Sequence, residues 1–378
     1  MGEVDLLVVG GGFAGLSCAH AAASRGLRTL VLERRPCIGH SPNTTGLLVK
    51  EVADLWDVPR RLTRKIHGVR LYGPSLRWVD LQRPGYFFLA TDTPAVLRWW
   101  AEEAQQAGAI VRCGCGFRSA ESDESSGWRI STSQETLAPM KSRYLVGADG
   151  ASSSVARVMG LGQNRRWLPA VEAEFEGIGD IDEDRLHVFI DSKIAPGYLA
   201  WVVPGVGITQ VGLAANRPHP INLNAFIERA RRTFNFDRAK LIGHRAGKIP
   251  VGGPVRPIGR GHALLVGDAA GMVSPLTAGG IHTALDLGRQ AGLAICDHLL
   301  DGGREPVAVL RGALPRFYWK HLLRFGFDHA PPPNWSIDLA MRFSPLRALA
   351  QVIFFHHRGL LSLEAWRDMV WRVALGRG

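Results

Sequence analysis

Cysteine is scarce in this chain. Five are spread over 378 residues (Cys18, Cys37, Cys113, Cys115 and Cys296). An odd number over that length argues for a reducing compartment and against a disulfide scaffold. Cys113-Gly114-Cys115 has no second pair and no His at ligand spacing, so it reads as plain strand and no metal is expected. His356 and His357 are adjacent, hence about 100° apart on a helix, and make no metal pair either. No run of 18 uncharged apolar residues occurs, so no membrane-spanning helix is expected. The N-terminus is apolar and rich in small residues, but it has Glu3 and Asp5 where a signal peptide carries cations. The expected location is cytoplasmic. Acids are also short, 34 against 45 Lys and Arg, which leaves a net charge of +11. That favours an anionic partner such as nucleic acid, a membrane surface or a phosphorylated substrate. No nucleic-acid-binding motif is present and the arginines form no single basic helix, so no nucleic-acid partner is expected.

What is there is organised around residues 4–33. An apolar run, Leu6-Leu7-Val8-Val9, meets Gly10-Gly11-Gly12-Phe13-Ala14-Gly15 and then a helical pattern ending near Gly26; a second short run, Thr29 to Leu32, delivers Glu33. Strand, tight turn, helix and strand, followed by an acid at this distance, is the dinucleotide-binding pattern. Gly10 permits the sharp turn, Gly12 lets backbone approach a pyrophosphate, and Gly15 lets helix pack close to strand. Phe13, Ala14 and Gly15 open the helix whose free N–H groups face the phosphates. Glu33 suits ribose hydroxyls and repels a 2′-phosphate, so the ligand is FAD or NAD, with Arg34 in the loop beside it. The chain is long enough for two domains sharing a cofactor and can bury about 75% of its unfolded surface.

Further on, Leu47 to Trp56 reads as helical, Tyr86 to Leu89 as a strand, and Thr93 to Gln106 as a helix with Pro94 in its first turn. Tyr144-Leu145-Val146 is a buried strand that ends in Gly147-Ala148-Asp149-Gly150, followed by Ser153-x-Val155-Ala156-Arg157. Alternation over Val171–Phe175 and Leu186–Ile190 predicts half-buried antiparallel strands. Tyr198–Pro204 and Ile208–Leu213 form a hairpin across Gly205-Val206-Gly207. Ala263-Leu264-Leu265-Val266 runs into Gly267-Asp268-Ala269-Ala270-Gly271 and then Pro275 and Gly279-Gly280-Ile281.

These runs carry a resemblance. The GADG…S-x-V-A-R and GDAAG…P…GG segments resemble the second and third signatures of FAD-dependent oxidoreductases of the aromatic hydroxylase and geranylgeranyl reductase superfamily. Three signatures in the family's order choose FAD over NAD. Ala156, where hydroxylases carry Arg, tilts toward the reductase branch. Tyr198 to Pro204 resembles the Y-x-W-x-F-P substrate-cavity run of geranylgeranyl reductases, with one extra residue between Tyr198 and Trp201. Halogenases carry W-x-W-x-I-P, whose first Trp position is Leu199 here.

The resemblance implies a Rossmann-like FAD-binding domain (1–165 and 257–300), an antiparallel-sheet substrate domain (166–256) and a C-terminal helical region (301–378). It implies that Gly10, Gly12, Phe13, Ala14, Gly15, Glu33, Arg34, Asp149, Gly267, Asp268, Gly279, Gly280 and Ile281 hold FAD, Asp268 through a ribitol hydroxyl. The helix from Gly280 to about Cys296 would point its N-terminus at the flavin. The implied reaction saturates isoprenoid double bonds by hydride transfer from flavin N5. The family's flavin-facing loop cysteine falls at Thr45, so the usual thiol is absent, and the proton donor is one of Thr45, His282, Tyr198 or water; with Trp201 these are the candidate catalytic residues. The Arg that the superfamily carries before the Trp99-Trp100 helix is replaced at about Thr93. No second GxGxxG serves a nicotinamide, so electrons come from an external donor, NAD(P)H or a redox protein. Two other readings stay open: a monooxygenase of a hydrophobic substrate, and a lipid-binding flavoprotein without turnover.

Beyond Asp301 no catalytic signature is recognised. Ser344-Pro345 starts and Gly359 stops a helix, and Ser336 and Ser362 are further caps. Trp319, Phe325, Trp335, Phe354, Phe355, Trp366 and Trp371 alternate with Arg and Lys. They read either as a helical layer on the flavoprotein or as a peripheral membrane contact through which a lipid tail enters.

Overall fold

The computed structural model describes residues 3–123, 127–134, 139–216, 220–343, 350–351 and 353–355. The helix expected from Ser344 to Gly359, the His356-His357 pair, Ser362, Trp366 and Trp371 lie wholly or largely outside these residues. Two compact units account for the rest: residues 1–42, 93–167 and 249–317, and residues 43–92, 168–248 and the described residues from 318 on. Residues 43–92, assigned from sequence to the first part, thus group with the second unit. Likewise 301–317 and the residues from 318 on fall in different units. Among the described residues no helix is long and apolar enough to cross a membrane.

The first unit is built on the strand Val4–Val9, whose six residues are all buried. A strand apolar on both faces belongs in the middle of a parallel sheet. It is flanked in parallel by Thr29–Leu32 and by Met140–Gly147. Ile110–Arg112 extends the sheet beyond Thr29–Leu32, and Ala263–Leu265 extends it beyond Met140–Gly147, both in parallel. The late segment therefore returns to the sheet begun at Val4. Phe117–Asp123, Gly127–Thr132 and the short Gly259–Arg260 join antiparallel. The helix Phe13–Ala23 buries ten of its eleven residues, and its main partner is the long helix Ile281–Asp301. They touch backbone to backbone: a Cβ on Gly288 would lie 2.2 Å from the Ala14 carbonyl oxygen, and one on Gly292 2.5 Å from that of Cys18. The long helix outruns its expected end at Cys296 because nothing breaks it before Gly302, its left-handed C-cap at φ 66°.

One local expectation for this unit changes. Helix Thr93–Gln106 appears as expected, but Cys113-Gly114-Cys115 is not strand. The strand stops at Arg112, Gly114 takes φ +67°, and its N–H donates to the Arg35 carbonyl at 2.7 Å. A residue with φ in that region cannot continue a pleated ladder.

In the second unit a seven-stranded sheet runs in the order Lys240–Pro250, Trp167–Glu176, Thr209–Ala214, Ala200–Pro204, Arg185–Phe189, Gly68–Tyr72, Trp78–Gln82. The hairpin across 205–207 is present, with Pro204 opposite Thr209. The sheet is mostly antiparallel, but Arg185–Phe189 pairs with Gly68–Tyr72 in parallel. One face packs an aromatic core of Tyr72, Phe175, Phe189, Phe226, Phe234 and Phe236. A smaller sheet joins Leu47–Val49, Phe88–Thr91 and Thr63–Ile66. Leu47 to Trp56 is accordingly not one helix: its first three residues pair as strand, and the helix covers Lys50–Leu55. Helices Tyr318–His329 and Asn334–Ala340 follow. Ser336 is no cap but lies inside the latter, donating its hydroxyl to the Pro333 carbonyl at 2.8 Å.

Candidate cofactor site and substrate wall

The glycine-rich turn sits at the end of Val4–Val9. Gly10 has φ +112°, and a Cβ there would be 2.3 Å from the Ala148 carbonyl oxygen, so the first turn and the Gly147–Gly150 loop touch. Gly15 is as tightly held, its Cβ position 2.0 Å from the Gly10 carbonyl oxygen. Gly12 is different. It is the N-cap of Phe13–Ala23, makes no side-chain cap, and has nothing within 4 Å of where a Cβ would stand. Open space before uncapped helical N–H groups is what an anionic phosphate group requires. Phe13 is buried, edge-on against Trp100 at 5.5 Å, so what it can offer a ligand is its backbone. Ala14 is wedged by the late segment, since a Cβ on Gly267 would lie 2.6 Å from its methyl.

Glu33 faces the turn. Its Oε2 accepts from the Gly11 N–H at 2.8 Å and its Oε1 from the Arg35 N–H at 2.9 Å. Each oxygen keeps a second lone pair for a ribose hydroxyl. Arg34 is exposed in the loop that follows. Asp149 is already committed: its carboxylate accepts from Ser153 Oγ at 2.5 Å, from the Ser154 N–H and Oγ at 2.6 and 2.7 Å, and from the Val155 N–H at 3.1 Å. It holds the start of the short helix Ser154–Val158, a role that the motif did not reveal.

Asp268 stands in the turn Gly267–Ala270 after strand Ala263–Leu265. Asn164, which sequence reading missed, ties that turn to the Asp149 loop: its Nδ2 donates to the Asp268 carbonyl at 2.8 Å and the Ala151 carbonyl at 3.1 Å. Asn164 Oδ1 and Thr277 Oγ1 are buried without a hydrogen-bond partner, and the Asp268 carboxylate has none among the described residues. Burial pushes that carboxyl up to about 6. Gly279 is exposed, Gly280 is the uncapped N-cap of Ile281–Asp301, and Ile281 and His282 are half-buried in its first turn. The open glycine Gly12, uncapped helix starts and unpaired polar atoms in one unit fit a dinucleotide cofactor.

The raised Asp268 carboxyl has a consequence for FAD-free protein. A group whose folded pKa lies near 6 against 3.8 unfolded stabilises the fold below about pH 4, and that contribution is lost as pH rises through 6. Two units correspond to about 3 kcal/mol, and partial exposure reduces this to about 1–2 kcal/mol. Asp268→Asn should therefore make FAD-free protein more stable in urea at pH 7.5, with little change at pH 3.5. An equal shift at both pH values would refute an ionised, unpaired Asp268.

In the second unit, Thr45 Oγ1 donates to Glu172 Oε2 at 3.0 Å and Trp201 Nε1 donates to the same oxygen at 2.6 Å. Two of the predicted residues thus meet on an acid that sequence reading did not single out. Tyr198 stands apart, in the loop before Ala200–Pro204. Burial pushes its phenol above the usual range, while Arg324 pulls the other way. Arg324, 1% exposed, donates to the Gly197 carbonyl and pairs with Asp328. Among the described residues no group of three or more metal-ligating side chains occurs.

Sequence comparison decides the family. A model of the FAD binding domain family matches residues 79–299, more than half of the chain. Digeranylgeranylglycerophospholipid reductase 2 of Methanopyrus kandleri is 32% identical over 316 residues, 77% of this chain and 76% of that protein. The chain belongs to the geranylgeranyl reductase family of FAD-dependent oxidoreductases. This geranylgeranyl reductase family member also matches the FAD dependent oxidoreductase family over residues 5–93. It is 29% identical to the geranylgeranyl diphosphate reductase of Rhodobacter capsulatus over 82% of this chain and 79% of that one. In fold it is similar to a geranylgeranyl bacteriochlorophyll reductase-like protein from Thermoplasma acidophilum, with a TM-score of 0.82, 23% identity and coverage of 98% and 96% of the two chains. FAD is its cofactor.

Proposed function

We propose that this flavoprotein reduces carbon–carbon double bonds of an isoprenoid lipid. The observation that carries this reading is the 32% identity to a digeranylgeranylglycerophospholipid reductase over three quarters of both chains. Bound FAD, once reduced by an external donor, would supply the hydride. The chain's own residues position the substrate and manage the proton. Trp201 offers an aromatic wall to an apolar chain, and Tyr198, kept protonated by burial, can donate a hydrogen bond. The proton for the second carbon comes from Thr45, His282, Tyr198 or water.

The test reduces the flavin anaerobically, adds mixed polyprenyl lipids, admits air to a parallel sample, and weighs the products. Two hydrogens gained without air supports the reductase. One oxygen gained only in air identifies a monooxygenase, and unchanged lipid in both samples leaves a binding protein.

A peripheral membrane contact belongs to the same reading. Helix Tyr318–His329 is turned inside out: Arg324 is its buried residue, whereas Tyr318, Leu322 and Phe325 are 74%, 61% and 55% exposed. Trp319 and, on the next helix, Trp335 are exposed too. Aromatic and aliphatic side chains outward, on a chain of charge +11, suit an anionic bilayer surface. Replacing Trp319, Leu322 and Phe325 together by serine forfeits about 1.5–3 kcal/mol per side chain that would insert fully. Binding to anionic vesicles should fall at least a hundredfold, and co-sedimentation equal to wild type would sink the idea.

A further inference from the structure

Glu172 is 4% exposed in the middle of strand Trp167–Glu176, on the face opposite the aromatic core residues Ala173 and Phe175. The strand registers align Glu172 with Gly212 and Gly212 with Trp201. The indole of Trp201 lies across Gly212 to reach the carboxylate, and a Cβ on Gly212 would stand 2.7 Å from its ring carbons. Glu172 Oε2 receives both the Trp201 N–H and the Thr45 O–H. Its Oε1 receives Arg245 Nε at 2.7 Å, while Arg245 Nη2 lies 2.6 Å from that oxygen and 2.8 Å from Glu174 Oε1. One buried carboxylate therefore gathers four segments far apart in sequence.

The chemistry of that carboxylate fixes the direction of each bond. Paired with a guanidinium, it is ionised and only accepts. The single hydroxyl proton of Thr45 is spent on it, leaving the two lone pairs of the Thr45 oxygen for any further partner. A hydroxyl donating to a carboxylate is a poor acid, because giving its proton to substrate would leave an alkoxide beside a negative charge.

We propose that Glu172 is a positioning residue that locks the Trp201 indole over Gly212 and sets Thr45 as a hydrogen-bond acceptor and not a proton donor. This rests on the reading of Thr45 and Trp201 as substrate-facing residues. It narrows the proton source to His282, Tyr198 or a water, one that Thr45 can hold through its lone pairs.

The experiment uses FAD-loaded protein with ¹⁵N-labelled tryptophan, the Trp201 indole signal being assigned by its loss in Trp201→Phe. In wild type that N–H resonates downfield, as a charge-assisted bond requires. In Glu172→Gln it moves upfield, and kcat on a reducible polyprenyl lipid falls about ten- to a hundredfold, the scale of a misplacement near 1 Å. Glu172→Gln/Arg245→Gln, which removes the ion pair as a unit, keeps the test usable if the single variant folds poorly. Thr45→Val should still transfer a solvent proton to product. An unmoved Trp201 signal, an unchanged kcat alongside a moved signal, or loss of product protonation in Thr45→Val each overturns the proposal. Wild type that reduces no polyprenyl lipid refutes the proposed reaction instead, and the indole signal then decides the carboxylate's role.

Discussion

Gly12→Val protein should purify colourless and stay so when FAD is added, yet unfold in urea like FAD-free wild type. The two halves of that expectation come from the same position. Gly12 has φ −91° and an extended ψ, which valine adopts without strain, and no atom lies within 4 Å of the new Cβ. The side chain costs the fold little, of the order of 0.5 kcal/mol. It does fill the space before the first N–H groups of Phe13–Ala23, where the proposed site puts the cofactor's pyrophosphate. Losing two charge-assisted hydrogen bonds at about 1.5–3 kcal/mol each lowers affinity by roughly 10²–10⁴. Gly10→Ala is the contrasting case: with φ +112° and a carbonyl oxygen 2.3 Å away, it should unfold the protein outright. A yellow Gly12→Val protein would remove the turn from the cofactor site.

Gly288→Leu should have the largest effect on stability of any single change in the long helix. Its Cβ would meet the Ala14 carbonyl oxygen at 2.2 Å, and the obstacle is backbone, which cannot swing aside as a side chain does. Helix Phe13–Ala23 would have to lift from Ile281–Asp301, giving up contacts along both. Overpacking alone costs typically 1–3 kcal/mol, and a forced separation of two buried helices exceeds 4 kcal/mol, a large part of a domain's stability. The variant should be insoluble or unfold at much lower urea, and FAD should be lost with it because Ala14 opens the cofactor helix. Gly312→Ala is the control. That glycine lies in helix Pro306–Ala313 with open space at its Cβ, so alanine should be neutral or stabilise by up to about 1 kcal/mol. A Gly288→Leu midpoint close to wild type would mean that the two helices are not packed through this glycine.

The features legible in the sequence were those written in neighbouring residues. The turn at Gly10 to Gly15 and the strand before Gly267 each carry their geometry within a few positions, so strand, glycine and helix could be read off directly. The hairpin across Gly205 to Gly207 was readable for the same reason. Features set by distant residues were not. Nothing around Asn43 or Asp92 signals that the chain leaves one unit and returns, since a unit boundary there is only another loop. Leu47–Val49 fits helix and strand patterns equally, and only the partner Phe88–Thr91 decides between them. Alternation places Glu172 and Glu174 together on one face of their strand, and a charged residue in an alternating strand is ordinarily exposed. Its burial depends on Arg245, 73 residues on, and on Trp201, 29 residues on. Asp149 shows the converse, a residue singled out by motif whose carboxylate is occupied by the helix behind it.

Gly12 and Gly280 lie roughly 270 residues apart, and at about 5–20 residues per second a ribosome needs some 15–50 s to travel between them. For that interval the nascent chain displays Phe13–Ala23, a helix apolar on nearly every side, without the helix that covers it. The sheet is likewise one parallel neighbour short until Ala263–Leu265 emerges. With the cofactor site as proposed, the flavin would be captured by a nearly finished protein rather than used as a folding template, and the unfinished chain would be a ready client for chaperones that hold exposed apolar surface.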